Sequence, residues 1–520
     1  HEVTGSCTYL EACGKRILID YGMEQGRDVY ENIRVPCAPS EIDYVFLTHA
    51  HIDHSGLLPL LYAGGFCGEI HATQATVSLC QIMLRDSAHI QEFEAEWRNR
   101  KAKRSGGDIY TPLYTMQEAL GSLEHFVPHP YGEKISIADG ITIRFLDAGH
   151  LLGSSSIEIW LEENGISKKL LFSGDIGNFH QPLIRDPQYA DTADYVIMES
   201  TYGNRLHEKP KNYIQDFVQI LLETFQRGGS VIIPSFAVGR TQELLYFLKQ
   251  IKDQNLLGKY QDVPIYVDSP LAIEATEIFQ RNKESCFDEE ALAYVQRGEN
   301  PIGVSGLRTA VTSEASMAIN ADTRSKIVIS ASGMCEAGRI KHHLKHNLWK
   351  PENTILFVGY QAVGTLGRRL LEGANYVTLF GESVKVAAQI RQLQGMSGHA
   401  DQKGLELWIQ HVQQVKKVFV IHGETTAADT FTALLNEQGI SAYAPYSGTE
   451  FDVASGQFLH EAEPVYLEKP KSVKASATYD RLQIALDRVT AYIQNARGYS
   501  NKELAKMADQ LTQLCNKWEQ

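Results

Sequence analysis

Residues 49–54 have the sequence His-Ala-His-Ile-Asp-His, which places three imidazoles and a carboxylate within six residues. With 18 histidines in 520 residues, composition alone would produce this spacing with a probability on the order of 10⁻³. Imidazole nitrogen and carboxylate oxygen are preferred zinc ligands. The alternative is a group of surface histidines after a strand. The motif is better explained as half of a dinuclear metal site than as surface histidines. The fold would then have to bring the remaining ligands to it.

Further candidate ligands follow short apolar runs that predict β-strands. They comprise His150, Asp175, Glu199 and His422. A similar run at 44–48 leads into the motif. Parallel and mixed sheets bring the residues that follow their strands to one edge, where ligands bind. We therefore expect these side chains to converge on residues 49–54.

Two zinc ions that share one carboxylate and one hydroxide need about seven protein ligands. The sequence can supply two groups of ligands joined by a bridging carboxylate. The first group is His49, His51 and His150, the second is Asp53, His54 and His422, and Asp175 lies between them. Taken singly, His150 or His422 is more often a hydrogen-bonded histidine than a ligand. Together with the motif, they predict two Zn²⁺ per chain.

The first 200 residues or so contain short β-rich runs with amphipathic stretches between them, such as 57–63 and 77–97. This pattern is typical of a layered α/β domain. From about residue 205, strands and helices alternate more regularly, as in 230–234 followed by 240–252. That alternation predicts a parallel βαβ unit. Short strands resume near residue 384 and end at 417–421, so we expect one domain to be inserted into another.

The segment after residue 464 predicts a helical hairpin. Two apolar stripes at helical spacing comprise Leu482, Leu486, Val489 and Ile493, then Leu504, Met507, Leu511, Leu514 and Trp518. Gly498 can end the first helix, and Ser500 with Glu503 gives a capping-box pattern for the second. The stripes are expected to pack on the main body or on a second copy of the chain, which makes a homodimer one expectation.

Composition excludes several classes of protein. A hydrophobic content of 43% and a charged content of 22% suit two or three domains with proper cores. The eight cysteines include no Cys-x-x-Cys pair, which indicates free thiols in a reducing cytoplasm. Apolar runs fall short of the roughly 20 residues needed to span a bilayer, and the start of the chain lacks a signal-peptide pattern. We expect a cytoplasmic protein without a membrane segment.

The net charge of −14 argues against binding nucleic acid through the whole surface. A nucleic-acid substrate would need a local basic channel. The sequence offers two basic runs, at 98–104 and at 339–346. Each could equally be a solvated helix face.

Several segments together resemble a known family. The motif at 49–54, Gly149-His150, Ser173-Gly174-Asp175 and the Glu-Val-Thr-Gly-Ser sequence at 2–6 look like the metallo-β-lactamase fold, an αββα sandwich with two zinc ions at its edge. Residues 198–203, 397–401 and 421–423 narrow the resemblance to the β-CASP branch, which processes nucleic acids. Residues 332–339 are similar to the polyadenylation-factor endonuclease group and its bacterial and archaeal relatives.

The resemblance covers about residues 1–460 and implies an α/β architecture. Residues 1–204 and 381–463 would form the two parts of the αββα sandwich. Residues 205–380 would form the inserted parallel-sheet β-CASP domain, and 464–520 a helical C-terminal extension. Members of the family usually carry a first strand before the segment at 2–6, so we expect a short leading piece before His1.

The resemblance also implies catalytic roles. A hydroxide activated by two metals would attack phosphorus in line. His399 would protonate the leaving 3′ oxygen, and Glu199 would orient the His399 ring. The products would carry a 3′-hydroxyl and a 5′-phosphate. Asp53 is also expected to be catalytic. The alternative for Glu199 is a helix N-cap. Asp20 is expected either to support a ligand histidine or to form a structural turn.

Substrate expectations rest on the final ligand position and on candidate substrate contacts in two loops. The family's RNA-acting members resemble this chain in having histidine at the final ligand position, His422, where the DNA-repair branch usually has valine. RNA is therefore the expected substrate, and the inserted domain would cover the site and limit entry to single-stranded RNA. Ser332, Gly333 and Arg339 predict a phosphate cradle ahead of a helix, with Ser397 as a further contact. The alternative is an ordinary strand-to-helix turn.

The favoured function is a zinc-dependent endoribonuclease. A 5′–3′ exoribonuclease and a non-catalytic RNA-binding subunit stay open as alternatives. A third alternative is a hydrolase of the same fold that acts on a thioester or a lactam. The chain lacks a Gly-x-x-x-x-Gly-Lys sequence at its Gly-containing turns, so we expect no nucleotide hydrolysis.

Overall fold

The computed structural model describes residues 1–25, 29–105, 109–207, 213–393, 397–467, 493 and 500–518. The chain forms two compact units. The large unit comprises His1–Asp28 and Asn32–Pro464, and the small unit comprises Val29–Glu31 and Val465–Gln520.

Strands are numbered in chain order. The first ten are β1 Thr8–Ala12, β2 Lys15–Ile19, β3 Tyr44–Phe46, β4 Glu69–Thr73, β5 Phe126–His129, β6 Ile135–Ala138, β7 Ile141–Asp147, β8 Ser155–Glu163, β9 Ile166–Phe172 and β10 Tyr195–Glu199. The next eight are β11 Val231–Pro234, β12 Ile265–Val267, β13 Leu307–Thr309, β14 Ile327–Ser330, β15 Thr354–Phe357, β16 Tyr376–Leu379, β17 Glu382–Lys385 and β18 Gln389–Gln392. The last four are β19 Lys417–Ile421, β20 Ala442–Tyr443, β21 Glu450–Asp452 and β22 Gln457–His460.

Helices are numbered in the same way. The first seven are α1 Ile52–Ser55, α2 Leu58–Ala63, α3 Gln74–Ser105, α4 Met116–Leu123, α5 Tyr213–Gln226, α6 Arg240–Asp253 and α7 Pro270–Arg281. The others are α8 Lys283–Cys286, α9 Glu289–Gln296, α10 Ser313–Ala321, α11 Ile340–Asn347, α12 Leu366–Leu371, α13 Gln402–Gln410, α14 Thr425–Glu437 and α15 Asn501–Trp518. Short 3₁₀ turns occur at Pro39–Glu41 and Gly258–Tyr260.

Two sheets form a sandwich. One has the order β1-β2-β3-β4-β5, and the other has the order β20-β19-β10-β9-β8-β7-β6. Alternation along β2 shows how they face each other, because Ile17 and Ile19 share a core with Phe145 of β7 and Ile157 of β8. Leu18 points to the opposite face of its sheet, where it joins the core that contains α2 and α3.

The outer face of the seven-stranded sheet carries the other helical layer. Trp408 of α13 and Phe431 of α14 are fully buried there with Val196 of β10 and Val420 of β19. The layers therefore run helix, sheet, sheet, helix, and the predicted αββα sandwich is confirmed.

A third sheet is fully parallel, with the order β13-β12-β14-β11-β15-β18. Its four central strands, β12, β14, β11 and β15, are buried on both faces. Ile233 of β11 packs on the side of α6 and α7, and Ile232 packs on the side of α11. Burial on both faces explains the nearly continuous apolar sequences of these strands. The predicted parallel βαβ unit is confirmed.

The chain leaves the sandwich after β10 and returns to it at β19, which pairs in parallel with β10. Between them lie the strands of the parallel sheet, the last of which, β18, pairs with β15. We therefore propose that the inserted segment extends to about residue 392 rather than ending at 380. The boundaries 1–204 and 464–520 stay predictions.

The small unit contains a short pairing and a helix. The backbone of Glu31 donates to Val465, and Leu467 donates to Val29. Helix α15 begins as predicted, with Ser500 and Glu503 forming a reciprocal capping box. Most of the predicted first helix, including Leu482, and its end at Gly498 lie outside the described residues. Helices in the described ranges are too short or too polar to cross a membrane.

Candidate metal centre

The candidate ligands converge because of strand direction. Strands β9, β10 and β19 are parallel neighbours, and β7 runs in the same direction since two antiparallel pairings separate it from β9. Their carboxyl ends therefore share one edge of the sheet, which carries His150, Asp175, Glu199 and His422. Residues 49–54 follow β3 of the facing sheet and meet this edge.

Asp175 joins two groups of ligands through different oxygens. Its Oδ2 lies 3.4 Å from His49 Nε2 and 3.5 Å from His150 Nε2. Its Oδ1 lies 3.3 Å from His54 Nε2 and 3.4 Å from His422 Nε2. The carboxylate thus faces both groups at once, as a bridging ligand would.

Three groups of described side chains, each with ligand atoms within 4.8 Å of one another, could hold a metal ion. They are His49, His51, His150 and Asp175, then Asp53, His54 and His422, and third Asp175, Glu199 and His399. His51 contributes its Nδ1 atom, which lies 3.1 Å from His49 Nε2 and 3.2 Å from His150 Nε2. The first two groups have the members predicted from the sequence, with Asp175 placed in the first.

Three buried atoms at this centre lack a hydrogen-bond partner within the described part of the chain. They are Nε2 of His54, Nε2 of His422 and Oδ1 of Asp175. An unpaired buried polar atom is costly unless it binds something, such as a metal ion. Both imidazole nitrogens lie within 3.4 Å of this carboxylate oxygen, so the His54–His422 side of Asp175 fits a metal ion.

Protonation states also suit metal binding. Burial lowers the pKa of His51 to about 3, and it lowers the pKa of His150 well below its usual value. Burial alone would raise the pKa of Asp175, but the imidazoles of His422, His54 and His49 hold it well below its usual value. Neutral imidazole and ionised carboxylate are the forms that bind zinc.

His54 differs from the other imidazoles. Burial alone would lower its pKa, but the carboxylates of Asp175 and Asp20 raise it well above its usual value. Its Nδ1 donates to Asp20 Oδ2 at 2.7 Å, and Asp20 also accepts from Thr48 N and Oγ1. Asp20 therefore supports a candidate ligand, His54, which is the first of its two expected roles, the other being a structural turn.

Three other imidazoles are also held through the ring nitrogen that faces away from the centre. His150 Nδ1 donates to the carbonyl of Gly398 at 2.8 Å. His422 Nδ1 lies 2.7 Å from Ser6 Oγ, and His49 Nδ1 lies 3.1 Å from Thr48 Oγ1. Such partners fix the ring orientation and tautomer of metal-binding histidines.

His399 and Glu199 lie beside the candidate metal ligands. His399 Nδ1 donates to Glu199 Oε1 at 3.2 Å and lies 3.9 Å from Asp175 Oδ2. Burial opposes the charged imidazole, but Glu199 and Asp175 outweigh it and raise the pKa of His399 to about 9. Glu199 also accepts from the backbone of Ile176. The residues after Glu199 form a turn at 201–204 rather than a helix, which removes the N-cap alternative.

Comparisons with known proteins agree with this geometry. The family profile described as metallo-beta-lactamase superfamily matches residues 2–201, and the Beta-Casp domain profile matches 241–370. A third profile, the Zn-dependent metallo-hydrolase RNA specificity domain, matches 383–445. Ribonuclease TTHA0252 of Thermus thermophilus is 37% identical over 81% of this chain and 91% of its own length. The chain belongs to the β-CASP family of the metallo-β-lactamase superfamily. Like that family, it is a metal-dependent hydrolase.

Archaeal β-CASP proteins are also similar. An RNase J-like protein of Methanocaldococcus jannaschii is 31% identical over 85% of this chain and 96% of its own length. Transcription termination factor FttA of Methanosarcina mazei is 30% identical over 82% of this chain. The match spans 66% of that factor's length.

The β-CASP insert places the predicted phosphate loop next to the sandwich. Gly333 packs so closely on Phe236 that a Cβ there would lie 2.9 Å from its ring. Gly239, three residues after Phe236, packs in turn on Leu151, which follows His150. The loop at 332–338 therefore lies near the edge of the sandwich that carries the candidate metal ligands.

The side chains predicted to contact substrate have partners within the chain. Arg339 donates to the buried carboxylate of Asp268 and to the carbonyls of Ala310 and Val311. Ser332 Oγ bonds to Ala337, and Ser397 Oγ bonds to the backbone of His399. The Arg339 side chain therefore holds this loop, and the backbone amides of the loop stay the candidate phosphate contacts.

The two basic runs differ in setting. Residues 98–104 lie on α3, where Arg98 and Arg100 pair with Glu94 and Glu96 one turn away. In the second run, His343 is fully buried, and its Nε2 atom lies 2.6 Å from Asp268 Oδ2. Both runs are thus largely engaged within the chain.

Sequence reasoning missed three supporting residues. Ser6 was singled out only as part of a family segment, and Thr48 only as the end of a strand. Gln181 donates its amide to the carbonyls of Ser397 and Gly398, which fixes the loop that carries His399. Its position six residues after Asp175 gives no local signal, because the partner loop is more than 200 residues away.

Proposed function

We propose that the protein is a zinc-dependent ribonuclease that hydrolyses RNA phosphodiesters, acts as an endonuclease, and leaves a 3′-hydroxyl and a 5′-phosphate. One observation carries the proposal. The carboxylate of Asp175 faces two ligand groups, and the His399–Glu199 pair lies next to it. The names of two relatives, ribonuclease TTHA0252 and RNase J-like protein, favour RNA as the substrate.

The proposed ligands are His49, His51 and His150 for one zinc ion, Asp53, His54 and His422 for the other, and Asp175 for both. Two bound zinc ions would supply positive charge beside the scissile phosphate and a water of lowered pKa. The chain's part is to hold the ligands in place. Asp20, Ser6 and the Gly398 carbonyl do so through the outer ring nitrogens.

His399 is the proposed proton donor to the leaving 3′ oxygen. Its Nδ1 is engaged by Glu199, so the remaining ring nitrogen, Nε2, would carry the proton toward substrate. Its side chain is 21% exposed, whereas the proposed ligands His49, His54, His150, Asp175 and His422 are buried. Glu199 orients the ring and stabilises its charged form.

The β-CASP insert provides the other wall of the proposed RNA site. Backbone amides of the loop at 332–338 would bind substrate phosphates. A cleft between two protein segments admits a single strand more readily than a duplex. Single-stranded RNA is therefore the proposed substrate.

RNA labelled at either end, with a 5′-hydroxyl or a 5′-phosphate, tests the mode of cleavage. Internal fragments from both 5′ forms support the endonuclease. Mononucleotides released only from 5′-phosphorylated RNA would indicate a 5′–3′ exoribonuclease instead. Hydrolysis of a thioester in place of RNA would contradict the proposal, and RNA binding without cleavage by the zinc-loaded protein would favour a non-catalytic subunit.

A further inference from the structure

An arginine and two tyrosines form a line that leads outward from His399. The Tyr202 ring lies edge-on to the His399 ring, with centroids 6.0 Å apart. The Arg205 guanidinium carbon lies 4.3 Å from the centroid of the Tyr202 ring and 5.6 Å from that of Tyr360. We call Tyr202, Arg205 and Tyr360 the Tyr-Arg-Tyr cluster. It connects the proposed proton donor with the β-CASP insert.

The sandwich side of this cluster is fixed to the His399 loop. Gln402 donates its backbone N–H to the carbonyl of Arg205 at 3.0 Å and its side-chain amide to Gly203 at 2.7 Å. His207 Nε2 donates to the His399 carbonyl at 2.9 Å. Arg205 therefore has a defined position relative to His399.

Tyr360 comes from the β-CASP insert, three residues after β15. The side-chain amide of Gln361 donates to the carbonyls of Tyr360 and Gly333, which ties this residue to the predicted phosphate loop. Tyr360 is 45% exposed, as is Phe236, the residue whose ring packs on Gly333. A rigidly held backbone thus presents exposed aromatic faces next to the loop.

The charge of Arg205 is available to a ligand. Among the described residues, its guanidinium has neither a hydrogen bond nor a carboxylate partner, and the residue is exposed. An exposed cation beside the centre is notable in a chain with a net charge of −14. A guanidinium held near aromatic rings can donate to a phosphate while keeping its stacking contact.

We propose that the Tyr-Arg-Tyr cluster binds the nucleotide adjacent to the scissile phosphate of single-stranded RNA. Tyr360 stacks on the base, and Arg205 donates to the phosphate of the same nucleotide. This inference rests on the proposed ribonuclease function. Aromatic stacking and a basic contact are the usual means of binding an unpaired strand, since every base offers a π-face and every nucleotide a phosphate. Paired bases are stacked within the duplex, so the cluster selects single strands.

Binding to fluorescent single-stranded RNA tests the cluster separately from catalysis. The measurements use the zinc-loaded His399→Ala protein as the parent. In that background, Tyr360→Ala and Arg205→Ala should each weaken binding about tenfold, whereas Tyr360→Phe should stay within about twofold. Arg205→Ala should also lower the slope of log Kd against log salt by about 0.7, since one phosphate contact is lost. Tyr376→Ala and Arg281→Ala serve as matched controls, because both residues are exposed and lie outside the cluster.

An abasic nucleotide identifies the stacked base. The abasic nucleotide is placed in turn at each position that flanks the cleavage site. The parent should bind the RNA more weakly when the abasic nucleotide occupies the position that stacks on Tyr360. The Tyr360→Ala variant should bind all of these RNAs with the same affinity. Parental affinity in both the Tyr360→Ala and Arg205→Ala variants, or an abasic effect that persists in Tyr360→Ala, would overturn the inference. Failure of the unmodified enzyme to cleave any RNA would overturn the proposed function and leave the binding data to decide on the cluster. Absence of RNA binding by the parent would overturn both.

Discussion

Glu199 Oε1 lies 3.2 Å from Nδ1 of His399, although 200 positions separate the two residues in the chain. The carboxylate is buried, fixed by the backbone of Ile176, and paired with a ring that is partly open to solvent. A buried carboxylate in this position stabilises the charged imidazole and fixes which nitrogen faces outward. The pair therefore supports proton donation by His399.

Replacing His399 with alanine should lower kcat for RNA cleavage about 10²- to 10⁴-fold, the usual contribution of a general acid. Zinc content should stay at the level of the unmodified protein, because His399 is not a proposed ligand. Glu199→Gln should lower kcat less. The double variant should be no slower than His399→Ala, since the two residues act as a unit. Cleavage at the original rate by zinc-loaded His399→Ala would refute the assignment.

Asp175→Ala should lower the zinc content below two ions per chain, because both ligand groups lose the carboxylate that they share. Elemental analysis after dialysis against buffered zinc measures this directly. Asp216→Ala is the control, since Asp216 is an exposed residue of α5. Two zinc ions retained by Asp175→Ala would exclude the bridging role.

Asp20→Asn should weaken zinc binding about 10- to 100-fold, the usual effect of losing a partner that orients a ligand. The reason is that the amide no longer offers two charged oxygens to His54 Nδ1 and Thr48. Competition with a chelator of known affinity gives the dissociation constants. Ser6→Ala should act in the same direction but less strongly, because His422 loses a neutral hydroxyl partner. Equal zinc affinity in Asp20→Asn and the unmodified protein would show that Asp20 is only a turn residue.

Removing zinc should lower the melting temperature. Ligands that bind only the folded state stabilise it by about 4 kcal/mol when their free concentration is 1,000 times Kd. The apo centre also leaves buried His54, His422 and Asp175 atoms without partners. Calorimetry before and after chelation, followed by zinc addition, measures the effect. An unchanged melting temperature would contradict a buried metal pair.

Gly177→Ala should disrupt the centre through backbone geometry alone. A Cβ at this position would lie 1.7 Å from the carbonyl oxygen of Gly149, so the loop that carries Asp175 would move away from His150. We expect a loss of zinc and a fall in the free energy of unfolding of about 3 kcal/mol. Gly165→Ala is the control, because it lies in an open turn with φ of +75°. That variant should cost about 1–2 kcal/mol and keep its zinc.

Local pattern predicted much of the fold. Strand β19 has the bounds expected from its apolar run at 417–421, and β11 lies within the run at 230–234. These predictions succeed because side-chain alternation and burial are written in consecutive residues. The sequence does not predict that β18 joins the parallel sheet, because its pairing with β15 depends on sheet order rather than on the sequence of β18 itself.

The sequence by itself determined the chemistry of the centre: which imidazoles and carboxylates exist, and that they follow strands. Only the tertiary structure decided how Asp175 divides its oxygens, which atoms hold His54 and His422, and that Arg339 is engaged with Asp268 rather than free for substrate. The physical reason is distance along the chain. Ser6 and His422 are 416 positions apart, and no local propensity encodes a contact that two sheets create by packing face to face.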